Sequence, residues 1–321
     1  MTLETFPSSL LSMVAVGALL VDIALGWPSW LYQRVGHPVG LFARMINRLE
    51  SFWNQPQLAG GARRALGVLA VLLLLAAAGG GAWLIQTGLV YFLGSWGWLA
   101  VAALAWPGLA VRSLHDHVVP VARALADGDL TGARCAVGKI VGRDPETLDA
   151  HGIARAAVES LAESFCDGVM APLFWLAVGG LPGLWAYKAL NTADSLIGHK
   201  EPRWREFGWA AARADDVSNF VPARLAGILI CVVAGRGWRV MWRDSGKHAS
   251  PNAGWPEAAM AGALDLKLAG PVVYDGVRHP KPWIGSGRAD LGSQDVFAAL
   301  GLYRRACALL VVLTGGLAWL L

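Results

Sequence analysis

Residues 65–111 read ALGVLAVLLLLAAAGGGAWLIQTGLVYFLGSWGWLAVAALAWPGLAV, a 47-residue run without Asp, Glu, Lys or Arg. A helix that spans a bilayer needs about 20 consecutive apolar residues. The run therefore predicts a hairpin of two spans with a turn near Gln86-Thr-Gly88. Arg64 and Arg112 bracket it, and further basic residues lie on both flanks. The positive-inside rule places both flanks in the cytoplasm.

Composition supports a membrane protein throughout the chain. Of the 321 residues, 55% are hydrophobic and 16% are charged, against roughly 25% charged residues in soluble domains. Mean hydropathy is +0.46. The net charge of +4 is scattered, which argues against a nucleic-acid partner. The four cysteines are far apart and form no C-x-x-C pair, so they indicate neither a zinc site nor a disulfide framework.

Weaker apolar segments complete the predicted topology. The sequence predicts the first span within residues 1–26 and the last within 303–321. Asp22 in the first span is equally consistent with an acid at the membrane interface and with a functional acid. Residues 168–187 are uncharged, but Gly179-Gly-Leu-Pro-Gly183 interrupts them and predicts a re-entrant or buried helical hairpin. The sequence thus predicts one all-α polytopic domain over 1–321, with about 4 to 5 transmembrane or re-entrant helices and cytoplasmic helical segments, in the inner cell membrane.

Polar residues concentrate in blocks around that hairpin, within 141–264. In the first block, Arg155, Glu159, Glu163 and Asp167 succeed one another at intervals of four and would share one helix face. Adjacent acids on a helix repel each other. The stripe therefore indicates a nearby positive charge, supplied by a metal ion, by Arg155 itself or by a partner helix.

The second block places polar side chains among small residues that let helices approach closely. Lys188, Asn191 and Asp194 lie within one stretch, and Arg213 with Asp215, Asp216 and Asn219 lies in the next. Polar groups wedged between membrane helices are usually functional. A buried hydrogen-bonded scaffold is the alternative, above all for Arg213 and Asp215.

The third block, 244–263, is a polar loop that leads into a helix rich in small residues. Pro256 and Glu257 are typical of a first helical turn. Backbone N–H groups at such a start favour an anion such as phosphate, and Lys247 and His248 would add positive charge. A well-capped helix without a ligand is the alternative.

Together these blocks resemble the CobD/CbiB family of cobalamin biosynthesis, the adenosylcobinamide-phosphate synthases. One departure is Trp27, because the family usually has Gly-Asp-Pro where this chain has Gly26-Trp27-Pro28. The stretches that carry the resemblance cover most of the chain: His37-Pro-Val39, Val141-Gly-Arg-Asp144, Leu148-Asp149, Arg155-Ala-Ala-Val-Glu-Ser160, Asp167-Gly-Val169, Ala171-Pro-Leu-Phe-Trp175, Tyr187-Lys188, Asn191-Thr192, Asp194-Ser195, Phe207-Gly-Trp-Ala-Ala-Ala-Arg213, Asp215-Asp216, Pro222-Ala-Arg-Leu225 and Ser250-Pro-Asn-Ala-Gly-Trp-Pro-Glu-Ala-Ala-Met-Ala-Gly-Ala263.

The resemblance implies a membrane-bound, ATP-dependent ligase that uses Mg²⁺. It would join (R)-1-amino-2-propanol or its O-phosphate to the free propionate of adenosylcobyric acid, with other membrane-bound enzymes of the late corrin pathway as partners. The corrinoid is then a substrate, and Trp175 and Trp185 would offer it a flat surface. The residues expected to act are the metal ligands Glu159, Glu163 and Asp167, the phosphate-binding and nucleotide-binding residues Arg143, Arg213, Lys247, His248 and Asn252, and the catalytic residues Lys188, Asp194, Asp215 and Asp216.

Two other classes of protein remain open on the residues alone. An intramembrane prenyltransferase would also use acidic helices and Mg²⁺, but Asn191-Thr-Ala-Asp194 is one residue too short for its acid-rich signature and lacks the following Asp. A transporter or a non-catalytic scaffold for corrinoids is the other class, although no inverted repeat is evident in the sequence.

Overall fold

The computed structural model describes residues 8–142, 144–274, 277–279 and 281–320. These residues form fifteen α-helices, and two π-helical segments, Ala76–Gly80 and Cys166–Met170, interrupt or join them. The helices in chain order are α1 (Ser8–Leu25), α2 (Ser29–Val35), α3 (Val39–Trp53), α4 (Gly60–Leu75), α5 (Gly81–Leu93), α6 (Gly97–Ala105), α7 (Val111–Ala126), α8 (Leu130–Val137), α9 (Ala150–Phe165), α10 (Ala171–Ile197), α11 (Trp209–Ser218), α12 (Phe220–Ala234), α13 (Trp238–Asp244), α14 (Gly254–Leu264) and α15 (Ser293–Leu320).

A few of these helices are able to span a membrane. Within the described residues, the stretches Gly60–Ala126, Ala150–Ile197 and Ser293–Leu320 are long and apolar enough to cross a bilayer. Up to five spans result if each of two bent helix pairs counts as one span. The prediction of an all-α polytopic membrane protein is confirmed.

The chain divides into two compact units. The first unit comprises the described residues of 8–110, 171–218 and 311–320, and the second comprises those of 111–170 and 219–310. That the whole chain acts as one domain stays a prediction.

The first unit is built around the helices of the uncharged run. Its buried side chains come from α3, α4, α10 and α11 and from the loop before α11, and they include Ile46, Val71, Leu74, Leu190 and Phe207.

The predicted turn at Gln86-Thr-Gly88 is wrong, because α5 continues through these residues to Leu93. The chain turns instead at Gly94, whose φ of +54° lies in the left-handed region that favours glycine. A glycine inside a helix costs only about 0.5–1 kcal/mol relative to alanine, so it does not by itself end the helix.

Gly180 breaks α10 where the sequence predicts an interruption. Its φ of +62° and ψ of −154° are not helical, and Pro182 lies two residues later. The Gln86 side chain compensates for part of the break, since its Oε1 accepts a hydrogen bond of 2.8 Å from the Leu181 N–H. A buried backbone donor needs such a partner. Re-entrance of this hairpin into the membrane stays a prediction.

The second unit packs α7 to α9 with α12 to α14 and the first part of α15. Phe165 and Tyr303 meet edge to face with ring centroids 5.7 Å apart, and the Tyr303 hydroxyl donates to the Val111 carbonyl at 2.7 Å. Two short antiparallel strand pairs lie between α14 and α15. Strand β1 (Leu268–Ala269) pairs with β4 (Trp283–Ile284), and β2 (Val272–Tyr274) pairs with β3 (Val277–His279).

We predict that Gly67→Ala destabilises the protein. A Cβ atom at Gly67 of α4 would lie 1.9 Å from the Phe207 carbonyl oxygen, so two backbones must move apart. Overpacking of this kind costs about 1–3 kcal/mol. Thermal unfolding in detergent should therefore shift to lower temperature. Gly88→Ala in α5 is the matched control, because a Cβ there meets nothing within 4 Å. The free energy of unfolding of the control should rise by about 0.5–1 kcal/mol. Equal destabilisation of both variants would contradict the packing argument.

Candidate functional site

A polar pocket in the second unit is the candidate site. Its volume is about 310 Å³. We call it the acidic pocket, because three carboxylates share it. It is lined by Ile140, Val141, Gly142, Ala156, Glu159, Ser160, Glu163, His248 and Glu257.

Helix α9 supplies one wall of the acidic pocket. The helix is fixed at its start by Asp149, whose carboxylate accepts a hydrogen bond of 2.7 Å from the Gly152 N–H. Its apolar residues are buried, so Glu159, Ser160 and Glu163 point the other way. The Ser160 hydroxyl donates to the Ile140 carbonyl at 2.6 Å, and Glu159 Oε1 accepts from the Ala269 N–H at 2.7 Å. These bonds hold the loop at Ile140 and strand β1 against the pocket wall.

His248 and Glu257 form the opposite wall. His248 Nε2 lies 3.5 Å from Glu257 Oε1, and the Glu257 side chain is buried. The Ser250 N–H donates to His248 Nδ1 at 3.0 Å, so a neutral ring carries its proton on Nε2 and directs it at Glu257. Burial is the main cause that lowers the pKa of His248 below its ordinary value, which favours this neutral form at pH 7. His248 therefore places its Nε2 atom beside the Glu257 carboxylate.

The predicted metal ligands are brought together in part. Glu159 and Glu163 line the acidic pocket, whereas Asp167 is not among its lining residues. The π-helical segment Cys166–Met170 begins just before Asp167, so the helical spacing that underlies the prediction ends there. Among the residues that the structure describes, no three His, Cys, Asp or Glu side chains are gathered closely enough to hold a metal ion. That all three acids bind one metal stays a prediction.

The donor set nevertheless suits one kind of magnesium site. Mg²⁺ usually binds through one or two carboxylates together with substrate phosphates and water, rather than in an all-protein cage. Glu159 and Glu163 offer two carboxylates on one pocket wall. The pocket therefore fits a magnesium ion that arrives with a phosphate ligand.

Lys247 takes part in an ion-pair network beside the pocket. Its Nζ lies 2.7 Å from Oδ1 of Asp244, a carboxylate that is fully buried. Arg243 donates to both Asp244 oxygens at 2.8 and 2.7 Å, and the Gly285 N–H donates to Oδ2 at 2.8 Å. The Arg243 hydrogen bonds, above all, hold the pKa of Asp244 well below its usual range. Asp244 thus ties α13 to the loop after β4, and a phosphate would have to share Lys247 with it.

Asn252 lies at the start of α14 and serves the local structure. Arg224 Nη1 donates to its Oδ1 at 3.3 Å, and the Ser250 hydroxyl accepts from its N–H at 3.2 Å. The same guanidinium stacks on Trp255, 4.7 Å from the ring centroid. Arg143 lies outside the described residues, so its predicted role is not placed.

The predicted catalytic residues gather in the first unit. Asn191 Nδ2 donates to Asp215 Oδ1 at 3.4 Å, and Arg213 pairs with Asp216 at 2.9 Å. Asp194 lies near enough to Asp216 for the two charges to interact. Lys188 belongs to the same helix as Asp194. The positive charge of Lys188 lies close enough to His37 for the two side chains to interact electrostatically. The predicted site residues that the structure describes thus lie in two polar clusters, one in each unit.

Glu257 and Ser160 are site residues that the sequence reasoning did not select. The first-turn position of Glu257 indicates a helix start, and a carboxylate there is explained by the helix dipole alone. Both residues lie within stretches that carry the family resemblance. That shared membership is the signal in the sequence from which they could have been selected.

We predict that Asp244→Asn destabilises the second unit at neutral pH. The change leaves two cations without their buried partner, which costs on the order of 3 kcal/mol. The folded pKa of Asp244 is depressed below the unfolded one, so its stabilising effect is present above roughly pH 4 and is lost as the pH falls further. Unfolding midpoints of wild type and variant should therefore differ at pH 7.5 and converge below pH 4.

The control for this prediction is Asp116→Asn. Asp116 pairs with Arg112 on an exposed helix surface, where a salt bridge contributes about 0–1 kcal/mol. The unfolding midpoint of Asp116→Asn should therefore differ little from that of wild type at every pH. A pH-independent loss of stability in Asp244→Asn would contradict the assigned role of the carboxylate charge.

Comparison with known proteins places the chain in a family. A family model described as "CobD/Cbib protein" matches residues 15–303. Cobalamin biosynthesis protein CobD of Rhodobacter capsulatus is 49% identical, over 94% of this chain and 95% of the relative. The protein of that name from Sinorhizobium sp. is 48% identical, over 94% and 97%, and that of Rhizobium meliloti is 44% identical, over 93% and 94%. No solved structure matches the chain. With matches of this extent, the chain belongs to the CobD/CbiB family of cobalamin biosynthesis proteins.

Proposed function

We propose that the step this chain performs in cobalamin biosynthesis is the formation of an amide bond. It joins (R)-1-amino-2-propanol, or its O-phosphate, to the free propionate of adenosylcobyric acid, with ATP as cosubstrate. One observation carries the proposal: Glu159, Glu163 and Glu257, with His248, line a single pocket of a size that suits a small amine. A primary amine enters as an ammonium ion, which carboxylates attract.

The reaction requires activation of the propionate, because an ionised carboxylate is a poor electrophile. Transfer of the terminal phosphoryl group of ATP to a carboxylate oxygen gives an acyl phosphate and ADP. The amine nitrogen then attacks the carbonyl carbon. The C–N bond forms, the C–O bond to phosphate breaks, phosphate leaves, and the nitrogen releases its extra protons.

Glu257 is suited to accept a proton from the ammonium group. Its carboxylate is buried, and the Nε2 atom of His248 lies 3.5 Å from it. Positioned acid–base groups of this kind contribute about 10²- to 10⁴-fold to a rate. Glu159 and Glu163 would hold Mg²⁺ when it accompanies the nucleotide, and the ion would neutralise phosphate charge. The chain's own part is to bind and orient the amine.

The polar cluster of the first unit supplies groups for anions. Arg213 presents a planar guanidinium, which matches phosphate oxygens in pairs, and Lys188 acts as a point charge. Arg213 is half exposed beside Asp216, so a phosphate can exchange for that carboxylate without opening a buried pair. Asp194 and Asp215 would then orient the cations.

Amide formation by the purified protein tests the proposal. The protein is incubated with adenosylcobyric acid, ATP, Mg²⁺ and either amine, and the products are separated by chromatography and weighed by mass spectrometry. A product heavier by the amine less water, formed together with ADP, is expected. If the protein binds the corrinoid but forms no amide with either amine under any nucleotide condition, it is a carrier or scaffold.

We predict that Glu257→Gln and Glu163→Gln impair the reaction in different ways. Glu257→Gln keeps the shape of the side chain but removes the proton acceptor, so kcat should fall about 100-fold or more. Glu163→Gln should raise the Mg²⁺ concentration needed for half-maximal rate. Glu201→Gln, on an exposed loop of the first unit, is the control and should behave as wild type. Unchanged rates and Mg²⁺ dependence in both pocket variants would rule the acidic pocket out.

We further propose that the polar segments 28–64, 112–167 and 236–305 face the cytoplasm, and we predict a labelling pattern that reports this. Cys135 is exposed, whereas Cys166, Cys231 and Cys307 are buried, so the native chain carries a built-in reporter. A membrane-impermeant maleimide should label Cys135 in inside-out vesicles and not in intact cells. The variant Cys135→Ser controls for the buried thiols. Labelling from outside intact cells would reverse the proposed orientation.

A further inference from the structure

Arg224 of α12 is a cation of the second unit that the proposed reaction does not use. Its Nη1 atom donates to the Phe220 carbonyl at 2.6 Å and to Asn252 Oδ1 at 3.3 Å. The guanidinium also stacks on two aromatic rings. Its central carbon lies 3.6 Å from the ring centroid of Phe220 and 4.7 Å from that of Trp255. The hydrogen bonds and the stacking contacts together fix the plane of this guanidinium.

The other edge of the Arg224 guanidinium carries donors that the protein does not use. The two bonds described above occupy both hydrogens of Nη1, whereas Nε and Nη2 have no hydrogen-bond partner among the residues that the structure describes. In the same part of the chain, no carboxylate lies within ion-pair distance of Arg224. The Nε–H and Nη2–H groups form a planar fork, which matches two oxygens of a phosphate or carboxylate.

Two other cations of the second unit show why Arg224 is different. Arg243 and Lys247 both bind the buried Asp244, so an anion that bound to them would compete with a carboxylate. Arg224 has no carboxylate to exchange, and its side chain is half-buried. A cation that is partly removed from water without a counter-ion is unfavourable. An anion bound at the open fork would relieve that cost.

The place of Arg224 in the fold indicates which anion can reach it. Helix α12 (Phe220–Ala234) contains no other charged residue, and it belongs to one of the two bent helix pairs that are long and apolar enough to cross a bilayer. Beside Arg224, Val221 and Leu225 are 46% and 38% exposed. An arginine near the end of such a helix extends to the polar edge of the bilayer, where phospholipid phosphates lie and dissolved anions have access.

We propose that the Nε–Nη2 edge of Arg224 is a binding site for a phosphate group. Two parallel N–H···O bonds hold two phosphate oxygens, while Phe220 and Trp255 keep the guanidinium in its plane. The phosphate comes either from a phospholipid headgroup or from a phosphorylated small molecule in water. The site does not rest on the proposed ligase activity, so its test measures binding rather than turnover.

The test uses the full chain in a maltoside detergent, which contains no phosphate. In its first arm, phosphorus NMR line widths report the binding of inorganic phosphate and of 1-amino-2-propanol O-phosphate. In its second arm, native mass spectrometry counts the phospholipids that the protein retains from the membrane. Removing a charge-assisted contact weakens binding about tenfold or more. Arg224→Gln should therefore lose that much affinity for the soluble ligands or should lose a retained phospholipid.

Arg239→Gln is the matched control, because it removes the same charge from an exposed position of α13 in the same unit. It should behave as wild type in both arms. A change of Arg224→Gln in the first arm alone identifies a small phosphorylated ligand, and one in the second arm alone identifies a phospholipid headgroup. A change in both arms shows that the site takes phosphate from either source. Equal behaviour of the two variants in both arms would overturn the proposal.

Arg224→Lys separates the fork from its charge, and it decides the question if Arg224→Gln does not fold. Lysine keeps the positive charge but binds as a point charge without the planar fork. Phosphate affinity, or the occupancy of the retained phospholipid in competition with added lipid, should fall about fivefold, the equivalent of one hydrogen bond. Wild-type binding by Arg224→Lys in both arms would overturn the proposal, because the two-oxygen contact is its basis.

Discussion

Helices in both units pack through backbone contacts that glycine allows. Lipid tails are as apolar as side chains, so close packing rather than water exclusion holds membrane helices together. In the first unit, Gly67 brings α4 against the backbone of Phe207. In the second, a Cβ at Gly254 would lie 2.0 Å from the Ser245 carbonyl and 2.8 Å from the His248 side chain. This approach fixes where α14 begins, and with it the distance between His248 and Glu257. The acidic pocket therefore depends on a residue that has no side chain.

Sequence reasoning predicted the helical membrane fold because the signal is collective. Long uncharged runs can satisfy their backbone groups in a bilayer only as helices, and no single residue decides this. Turns were harder, because they depend on individual contacts. Gln86 suggested the end of a helix, yet its side chain serves a distant backbone group and α5 continues to Leu93. The break at Gly180 was readable because glycine and proline act locally through the backbone.

The candidate site was predictable in residue type and less so in arrangement. Glu159 and Glu163 keep α-helical spacing and share one wall of the acidic pocket. Asp167 departs from that spacing, since each residue added to a helical turn rotates the later side chains by about 100° around the helix axis. Lys247 was selected for its charge, but spacing along the chain could not reveal that the buried Asp244 already neutralises it. Such pairing arises from tertiary contacts between α13 and the loop after β4.

The contact between Gln86 and Leu181 affects how this chain is inserted into the membrane during translation. The two residues are 95 positions apart, and a ribosome adds about 5–20 residues each second. Gln86 is therefore synthesised roughly 5 to 20 s before its partner exists. During that interval a polar group on a membrane helix must be sheltered by the insertion machinery or by a neighbouring helix. Slowing translation between the two codons should then expose the nascent chain to membrane quality control, although the finished protein would be unchanged.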